Sequence, residues 1–189
     1  MRLTAMADSY NNQLSDAKYQ ELSFEERFGL MVDIEWSRRK SNKLARLIKR
    51  AEFRFSQACI EDIEYYPDRK LDKTQLLRLA TCNYIQEKHN IIIMGAAGNG
   101  KSYMGCAFGV AACRNYYTVK YVRLPDLLNE LAVARGEGIY QKVMKQYKKV
   151  SLLVLDEWLL RPLDGPQAVD VLEIVEARHQ TGSTIFCSQ

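Results

Sequence analysis

A glycine-rich segment in the middle of the chain has the residue types and the spacing that bind the phosphates of a nucleotide. The segment is Gly95-Ala96-Ala97-Gly98-Asn99-Gly100-Lys101-Ser102, which fits the pattern G-x-x-x-x-G-K-[ST] at every position. Glycines reach the backbone angles that aim successive N–H groups at one anion. Lys101 can then reach the β- and γ-phosphates, and the Ser102 hydroxyl can hold Mg²⁺. The sequence therefore predicts that this segment binds ATP together with Mg²⁺.

The residues around the segment favour a phosphate-binding loop, or P-loop, over a glycine-rich turn with an incidental Gly-Lys-Ser. An apolar run over residues 91–94 precedes it, and a helix-like segment over 101–114 follows it. A loop between a strand and a helix places the phosphates at the positive N-terminal end of that helix. The order of the elements is therefore the one that phosphate binding requires.

Two acidic residues, Asp156 and Glu157, follow a second apolar run over residues 152–155. Strands often end in acids, so this pattern alone is weak evidence. It gains weight because an acid at the carboxyl end of a neighbouring parallel strand lies beside the mouth of a P-loop. We expect Asp156 to bind Mg²⁺, directly or through water, and Glu157 to act as the general base that activates the attacking water.

The last strand candidate ends in two polar residues, Ser188 and Gln189. In P-loop ATPases with an additional strand, that strand lies between the other two. A polar residue at its tip then senses the γ-phosphate and helps to place the water. Ser188 or Gln189 suits that catalytic role, and a plain polar strand end is the alternative.

Short apolar runs alternate with helical patterns after Asn90, and this alternation predicts the fold class. Strands are expected over 91–94, 118–122, 152–155 and 183–187, and helices over 101–114, 125–135, 138–149 and 166–180. Buried strands alternating with helices are typical of an α/β fold with a parallel sheet and helices on both faces. We expect this P-loop NTPase core over residues 67–189.

A helical region without strands is predicted over residues 1–66. Residues 1–20 are polar and predict a frayed segment or a weak helix. Ser23 and Glu26 form a capping box at the start of a helical run over 22–51. A second run over 36–55 is continuous with the first or separate from it. Pro67 and Asp68 then break the pattern, and another helix is expected over 71–88.

The composition is that of a globular chain. Of its 189 residues, 47% are hydrophobic and 26% are charged, which is enough apolar material for a sizeable core. No stretch approaches the ~20 apolar residues that cross a bilayer, and residues 1–10 lack an apolar signal core. The five cysteines have no metal-ligand spacing and fit reduced thiols. We expect a cytoplasmic protein without a membrane partner.

Several segments that follow one another along the chain resemble the IstB-like ATP-binding proteins, helper ATPases of insertion-sequence transposition. These are AAA+ proteins related to the DnaC helicase loader. The matching segments are 22–27, 58–63, 95–102, 111–114, 122–128, 155–158 and 183–185. The resemblance implies an AAA+ type fold, ATP hydrolysis, and the same roles for Lys101, Ser102, Asp156 and Glu157. It also implies a homo-oligomer that acts with DNA and a transposase.

The chain departs from the family pattern after its fourth strand candidate. Relatives continue through a fifth strand and further helices, which usually carry an arginine finger and a second sensor. We therefore expect a core that is incomplete at its C-terminus. Hydrolysis should depend on the missing part, and on neighbouring subunits, more than nucleotide binding does.

Basic residues concentrate in two segments that could face DNA. One helix face is predicted to carry Arg39, Lys43, Arg46 and Arg50. A second cluster lies in a region where DnaC-like and initiator AAA+ proteins hold a helix against DNA, and it contains Lys142, Lys145, Lys148 and Lys149. A solvated helix face is the alternative for both. No aromatic interleaving or base-reading motif is visible, so contacts would go mainly to the DNA backbone.

Three functions are open on this sequence. The first is an ATP-dependent, DNA-binding regulator of transposition that assists a transposase. The second, within the same fold, is a helicase loader whose N-terminal segment binds a replicative helicase. The third is a small-molecule kinase, which is disfavoured because Glu157 suits water activation and no acceptor-binding lid is visible.

Overall fold

The computed structural model describes residues 3–66 and 71–189. The strands of this part are β1 (Ile91–Met94), β2 (Val119–Arg123), β3 (Leu152–Asp156) and β4 (Ser183–Ser188). Its helices are α1 (Thr4–Ser15), α2 (Phe24–Ala51), α3 (Lys73–Ala80), α4 (Asn83–Gln86), α5 (Lys101–Arg114), α6 (Leu124–Gly136), α7 (Tyr140–Lys149) and α8 (Gly165–Arg178), with a short 3₁₀ turn at Ala17–Tyr19.

The four strands form one parallel sheet with the order β1-β4-β3-β2. The predicted parallel sheet is therefore confirmed. The last strand, β4, lies between β1, which leads into the P-loop, and β3, which ends in Asp156. This is the arrangement expected of the additional-strand class.

Alternate residues of β3 and β4 face opposite helical layers, so both faces of the sheet are covered. Leu153 and Leu155 belong to the core that β3 shares with α6, α7 and α8. On the other face, a Cβ atom on Gly105 of α5 would lie 2.9 Å from Cys187 Sγ and 3.2 Å from Val154 Cγ1. The glycine therefore lets α5, and the P-loop before it, approach β3 and β4 closely.

The two helical runs expected in the N-terminal region form the single helix α2. The predicted capping box begins it, because Glu26 N–H donates to Ser23 Oγ (3.3 Å) and Ser23 N–H donates to Glu26 Oε2 (2.8 Å). The helix ends at Ala51, before the expected end at Phe55. Glu52 there has a φ of 56°, a left-handed conformation that cannot continue the helix.

The helix expected over 71–88 is interrupted, so that prediction was wrong. Cys82 separates α3 from α4 with a φ of 63°, and its side chain is only 1% exposed. The chain turns at this residue while the thiol stays in the core. The apolar spacing runs through the turn, so the sequence carried no signal of it. The predicted break at Pro67 and Asp68 lies outside the described residues.

The chain divides into two compact units, Met1–Arg46 and Leu47–Gln189. In the first unit, α1 is tied to α2 by the buried Glu35, whose carboxylate accepts hydrogen bonds from the N–H groups of Ala5 (3.0 Å) and Met6 (3.1 Å). The second unit contains the whole sheet. The domain boundary expected between residues 66 and 67 stays a prediction. Among the helices of the described residues, none is long and apolar enough to cross a membrane.

Candidate nucleotide-binding site

The P-loop leaves β1 at the carboxyl edge of the sheet and enters α5 at Lys101. Gly98 and Gly100 have φ values of 81° and 77°, in the left-handed region that glycine reaches without strain. Gly100 is the N-cap of α5, so the loop ends on the positive end of a helix. The predicted order of strand, glycine-rich loop and helix is present.

The side chain of Lys101 folds back and bonds to the start of its own loop. Its Nζ donates hydrogen bonds to the carbonyl oxygens of Gly95 (2.6 Å) and Ala96 (2.7 Å), and the residue is partly exposed. A charged phosphate oxygen is a stronger acceptor for an ammonium group than a neutral carbonyl oxygen. The ammonium group is therefore placed where an incoming phosphate can take over its hydrogen bonds.

Asp156, the last residue of β3, is only 2% exposed. One of its carboxylate oxygens accepts a hydrogen bond from the Tyr121 hydroxyl (2.7 Å), and the other accepts one from the Glu157 N–H (2.9 Å). Burial raises the pKa of Tyr121, and the bond to Asp156 raises it further, so the phenol keeps its proton and donates. The two bonds fix the orientation of the carboxylate at the carboxyl edge of the sheet.

Cys187 of β4 lies beside both halves of the predicted site. Its Sγ is 3.7 Å from the Lys101 carbonyl oxygen. Burial is the main cause that raises the pKa of Cys187 to about 12; the negative charge of Asp156 adds to this shift and the positive charge of Lys101 opposes it. In the sheet, Leu155 pairs with Phe186, so Asp156 and Cys187 are the next residues along two adjacent strands. The buried thiol therefore lies next to the end of β3 and next to the first residue of α5.

Glu157 is engaged in a bidentate ion pair with Arg123, the last residue of β2. Arg123 Nε and Nη2 donate to its two carboxylate oxygens at 2.9 and 2.8 Å, and this bonding raises the pKa of Arg123. The pair lines a cavity of about 590 Å³ between the start of α6 and the loop before α8. Sequence reasoning missed Arg123, because its partner lies 34 residues further along the chain and no local pattern joins them.

The two sensor candidates lie at the carboxyl edge of β4, beside the residues that follow Asp156. The Ser188 hydroxyl donates to the carbonyl oxygen of Trp158 (2.8 Å), and the Trp158 N–H donates to the carbonyl oxygen of Cys187 (2.8 Å). Trp158 packs on Phe186 with ring centroids 4.5 Å apart. Gln189 follows and is exposed. The sensor role of Ser188 or Gln189 stays a prediction.

A cavity of about 440 Å³ adjoins the P-loop, and sequence reasoning missed it. It is lined by Asp62, Ile63, Glu64, Tyr66, Gly98, Asn99, Gly100, Tyr103 and Met104. Tyr103 is held in place because its hydroxyl accepts the Cys59 N–H (3.2 Å) and its ring packs on Phe55 at 5.9 Å. The cavity combines aromatic and apolar side chains with a few polar ones, and such a cavity next to a phosphate loop suits the base of a nucleotide. Its walls come from distant segments, so no motif marks it.

The oxygen ligands that Ser102 and Asp156 offer suit an Mg²⁺ ion that is also bound by phosphate. Within residues 3–66 and 71–189, no group of three or more His, Cys, Asp or Glu side chains is placed to hold a metal ion. The Ser102 hydroxyl and the Asp156 carboxylate are hard oxygen ligands. Mg²⁺ is usually bound by one or two carboxylates plus substrate phosphates, so these residues suit a magnesium nucleotide better than a protein-only metal site.

In each of the two basic segments, at least one cation is paired with a carboxylate. On α2, Arg39 Nε donates to the buried Glu35 carboxylate at 2.6 Å. On α7, Lys148 pairs with Glu173 of α8. The remaining members of the α7 cluster are exposed on one side of the helix, and they are Lys142, Lys145 and Lys149. Lys148 therefore holds α7 against α8, and the expected DNA-facing set on this helix narrows to the exposed three.

Comparison with known proteins agrees with this fold. The whole chain, residues 1–189, matches the family of IstB-like ATP binding proteins. A protein of Pseudomonas fluorescens, named for insertion sequence IS1162 and for ATP binding, is 37% identical over all of this chain and 82% of its own length.

Two solved structures share the fold at lower identity. AMPPCP-bound DnaA from Aquifex aeolicus has a TM-score of 0.63 at 20% identity, over 70% of this chain and 42% of the DnaA chain. The DnaC helicase loader has a TM-score of 0.61 at 18% identity, over 72% of this chain and 79% of the loader. These likenesses show the P-loop AAA+ fold. With the family match over its full length, the chain belongs to the IstB-like ATP-binding proteins.

Proposed function

We propose that this chain binds ATP with Mg²⁺, hydrolyses the ATP, and uses the cycle to regulate transposition on DNA together with a transposase. The observation that carries the proposal is that Cys187, at the carboxyl edge of the sheet, contacts the backbone of Lys101 and lies on the strand next to Asp156, the last residue of β3. Membership of the family supports the role of an ATP-binding helper. We further propose that the protein acts in the cytoplasm as a homo-oligomer.

In the proposed complex, the N–H groups of the P-loop and the Lys101 ammonium group hold the β- and γ-phosphates. Ser102 and Asp156 hold Mg²⁺, which neutralises charge on the phosphates. The base enters the cavity walled by Ile63 and Tyr103. The N-terminal end of α5 adds its partial positive charge behind the loop. Each part therefore acts by position and charge, which supply most of the rate in phosphoryl transfer.

Turnover requires Glu157 to leave Arg123. Both of its carboxylate oxygens are bonded to the guanidinium group, so the carboxylate is directed at Arg123 rather than at an attacking water. Once released, Glu157 accepts a proton from the water that attacks the γ-phosphorus. Ser188 or Gln189 then contacts the γ-phosphate from the tip of β4. The ion pair thus keeps the site at rest until it opens.

We propose two separate surfaces for DNA, the exposed lysines of α7 and the basic face of α2. Both surfaces offer ammonium and guanidinium groups to phosphates, so we propose backbone contacts whose affinity falls steeply with salt. ATP binding would favour assembly on DNA, and the assembly would stimulate or target the transposase. DNA binding without any change in assembly on adding ATP would count against this part of the proposal.

The decisive experiment compares steady-state ATP hydrolysis and ATP affinity in the native chain and in Glu157→Gln, each with and without DNA. The amide cannot accept the proton, so turnover should fall by about 10²- to 10⁴-fold while ATP still binds. Glu176→Gln is the matched control, because Glu176 is exposed on α8. Native turnover in Glu157→Gln would contradict the assignment of the base.

Two outcomes of simple experiments would favour the other functions. Hydrolysis that releases phosphate without an added acceptor excludes a small-molecule kinase, and strict dependence on an acceptor would favour one. Affinity capture with a transposase and with a replicative helicase separates the transposition helper from a helicase loader. The likeness to DnaC concerns the fold alone and leaves the partner open. A replicative helicase must therefore be included in the capture experiment.

A further inference from the structure

Trp36 lies on α2 and plays no part in the proposed ATPase site. Its side chain is 60% exposed. The second tryptophan of the chain, Trp158, packs on Phe186 instead. An exposed indole ring presents a large, rigid apolar surface to a partner at low entropic cost. The nature of that partner follows from the residues around the ring.

The residues that follow Trp36 are basic, although two of them pair with acids, Arg38 with Asp8 and Arg39 with Glu35. From Trp36 to Arg46 the chain has five basic residues and no acidic one: Arg38, Arg39, Lys40, Lys43 and Arg46. Arg39 and Lys43 follow Trp36 at helical spacing and share its side of α2. Lys40 Nζ lies 5.0 Å from the centroid of the indole ring, which is a cation–π contact. An aromatic ring therefore lies within the basic face, in contrast to the expectation of no aromatic interleaving.

We propose that Trp36 stacks on an unpaired base of DNA while the basic residues that follow it bind the neighbouring phosphates. This inference rests on the proposed DNA binding. Lys40 Nζ lies over the ring, and the side chain is still 60% exposed, so a large part of its surface is open to a base. Bases in a duplex stack on one another and offer only their edges in the grooves. The ring therefore selects single-stranded or locally opened DNA over intact duplex.

The charge of this segment favours nucleic acid as the partner. Single-stranded nucleic acid supplies a phosphate and an aromatic face at every nucleotide, and base–aromatic stacking combined with a basic groove is the usual way in which proteins bind it. The contribution of stacking is independent of base identity, because every base has a π-face. The contact would therefore recognise the unpaired state of DNA rather than its sequence.

The first test measures the affinity of the full chain for a single strand and for a duplex of the same length. Trp36→Ala should weaken single-strand binding by about 5- to 150-fold and leave duplex binding nearly unchanged. Trp36→Phe should keep most of the single-strand affinity. Ile34→Ala is the matched control, because Ile34 is similarly apolar and 45% exposed but lies two residues away, on the other side of α2.

The second test uses the fluorescence of Trp36, taken as the difference between the native chain and Trp36→Phe. A single strand should quench this emission, and a strand of the same length with abasic positions should quench it much less, because it keeps the phosphates and lacks the bases. Equal quenching by both strands would overturn the proposal. So would unchanged single-strand affinity in Trp36→Ala.

These outcomes separate the inference from the proposed function. Charge reversal at Arg46, Arg46→Glu, should weaken the binding of single strand and duplex alike. If the chain binds neither DNA, the proposed DNA binding fails. If it binds both and Trp36→Ala changes neither, only the stacking proposal fails. Loss of self-association in Trp36→Ala at unchanged DNA affinity would overturn it by assigning the ring to a contact between copies.

Discussion

Lys101 and Arg178 both donate hydrogen bonds to backbone carbonyl oxygens, but they do so at opposite ends of the sheet. Lys101 bonds Gly95 and Ala96 of its own loop at the carboxyl ends of the strands. Arg178 bonds the carbonyl oxygens of Tyr147, Val150 and Ser183, next to the amino ends of β3 and β4. Lys101 is partly exposed, whereas Arg178 is only 2% exposed.

The difference in burial separates a binding group from a structural one. Burial lowers the pKa of Arg178 to about 10, so the guanidinium group is still charged at neutral pH and keeps its bonds. No solvent can replace those bonds in the folded chain. The bonds of Lys101 are open to water and to a ligand, so phosphate oxygens can take them over. The exposed fraction of the side chain, rather than the number of its hydrogen bonds, therefore distinguishes the phosphate-binding Lys101 from the structural Arg178.

Removing the buried cation should have the largest effect. Arg178→Ala leaves several buried carbonyl oxygens without a donor, so we expect the free energy of unfolding to fall by at least about 3 kcal/mol. Urea denaturation measures this loss. Arg178→Lys is the control and should lose less, because it retains a charge and part of the bonding. A loss below about 1 kcal/mol in Arg178→Ala would break the contrast between the two cations.

Removing the exposed cation should have the opposite profile. Lys101→Ala loses the charged donor for the phosphates, so ATP affinity should fall by about 10- to 150-fold, from a charged hydrogen bond of about 1.5–3 kcal/mol. Its free energy of unfolding should change by about 1 kcal/mol or less. Calorimetric titration with ATP and urea denaturation give the two values. Destabilisation as large as that of Arg178→Ala would show that Lys101 is structural.

A smaller effect should follow when the hydroxyl that orients Asp156 is removed. Tyr121→Phe keeps the buried ring and loses one hydrogen bond to the carboxylate. Groups that orient a metal ligand change metal affinity, so the Mg²⁺ concentration needed for ATP binding should rise by about 10-fold. Titration of Mg²⁺ at fixed ATP measures it, and ATP affinity in the absence of Mg²⁺ is the control. An unchanged Mg²⁺ requirement would show that the Tyr121 hydroxyl does not orient the metal ligand and that the residue serves only in packing.

Features that depend on residues close together along the chain were predicted from the sequence. The P-loop, the four strands and the capping box of Ser23 and Glu26 are of this kind. The position of β4 between β1 and β3 was also predicted, because an acid-tipped strand beside a P-loop belongs to a known arrangement. Helix boundaries were less accurate where Glu52 and Cys82 turn the chain, since left-handed backbone in a non-glycine residue leaves no pattern.

Features that join distant segments could not be predicted. Arg123 and Glu157 meet only when β2 and β3 pair. Arg178 is charged and at a helix end, which is typical of a surface position, yet the folded chain buries it against four carbonyl oxygens. The cavity beside Tyr103 needs walls from two segments. Each of these depends on tertiary contacts that the local spacing of residues does not encode.

The central claim is that Ser102 and Asp156 hold the magnesium of a bound nucleotide between the P-loop and β3. Exchange of the ligand atom tests it most directly, in Ser102→Cys. Mg²⁺ prefers oxygen ligands and softer ions such as Cd²⁺ prefer sulfur, so ATP affinity should be lost in Mg²⁺ and regained in Cd²⁺. The native chain, with its five cysteines, is the control in both ions. Native ATP affinity of Ser102→Cys in Mg²⁺, or no recovery in Cd²⁺, would contradict the account.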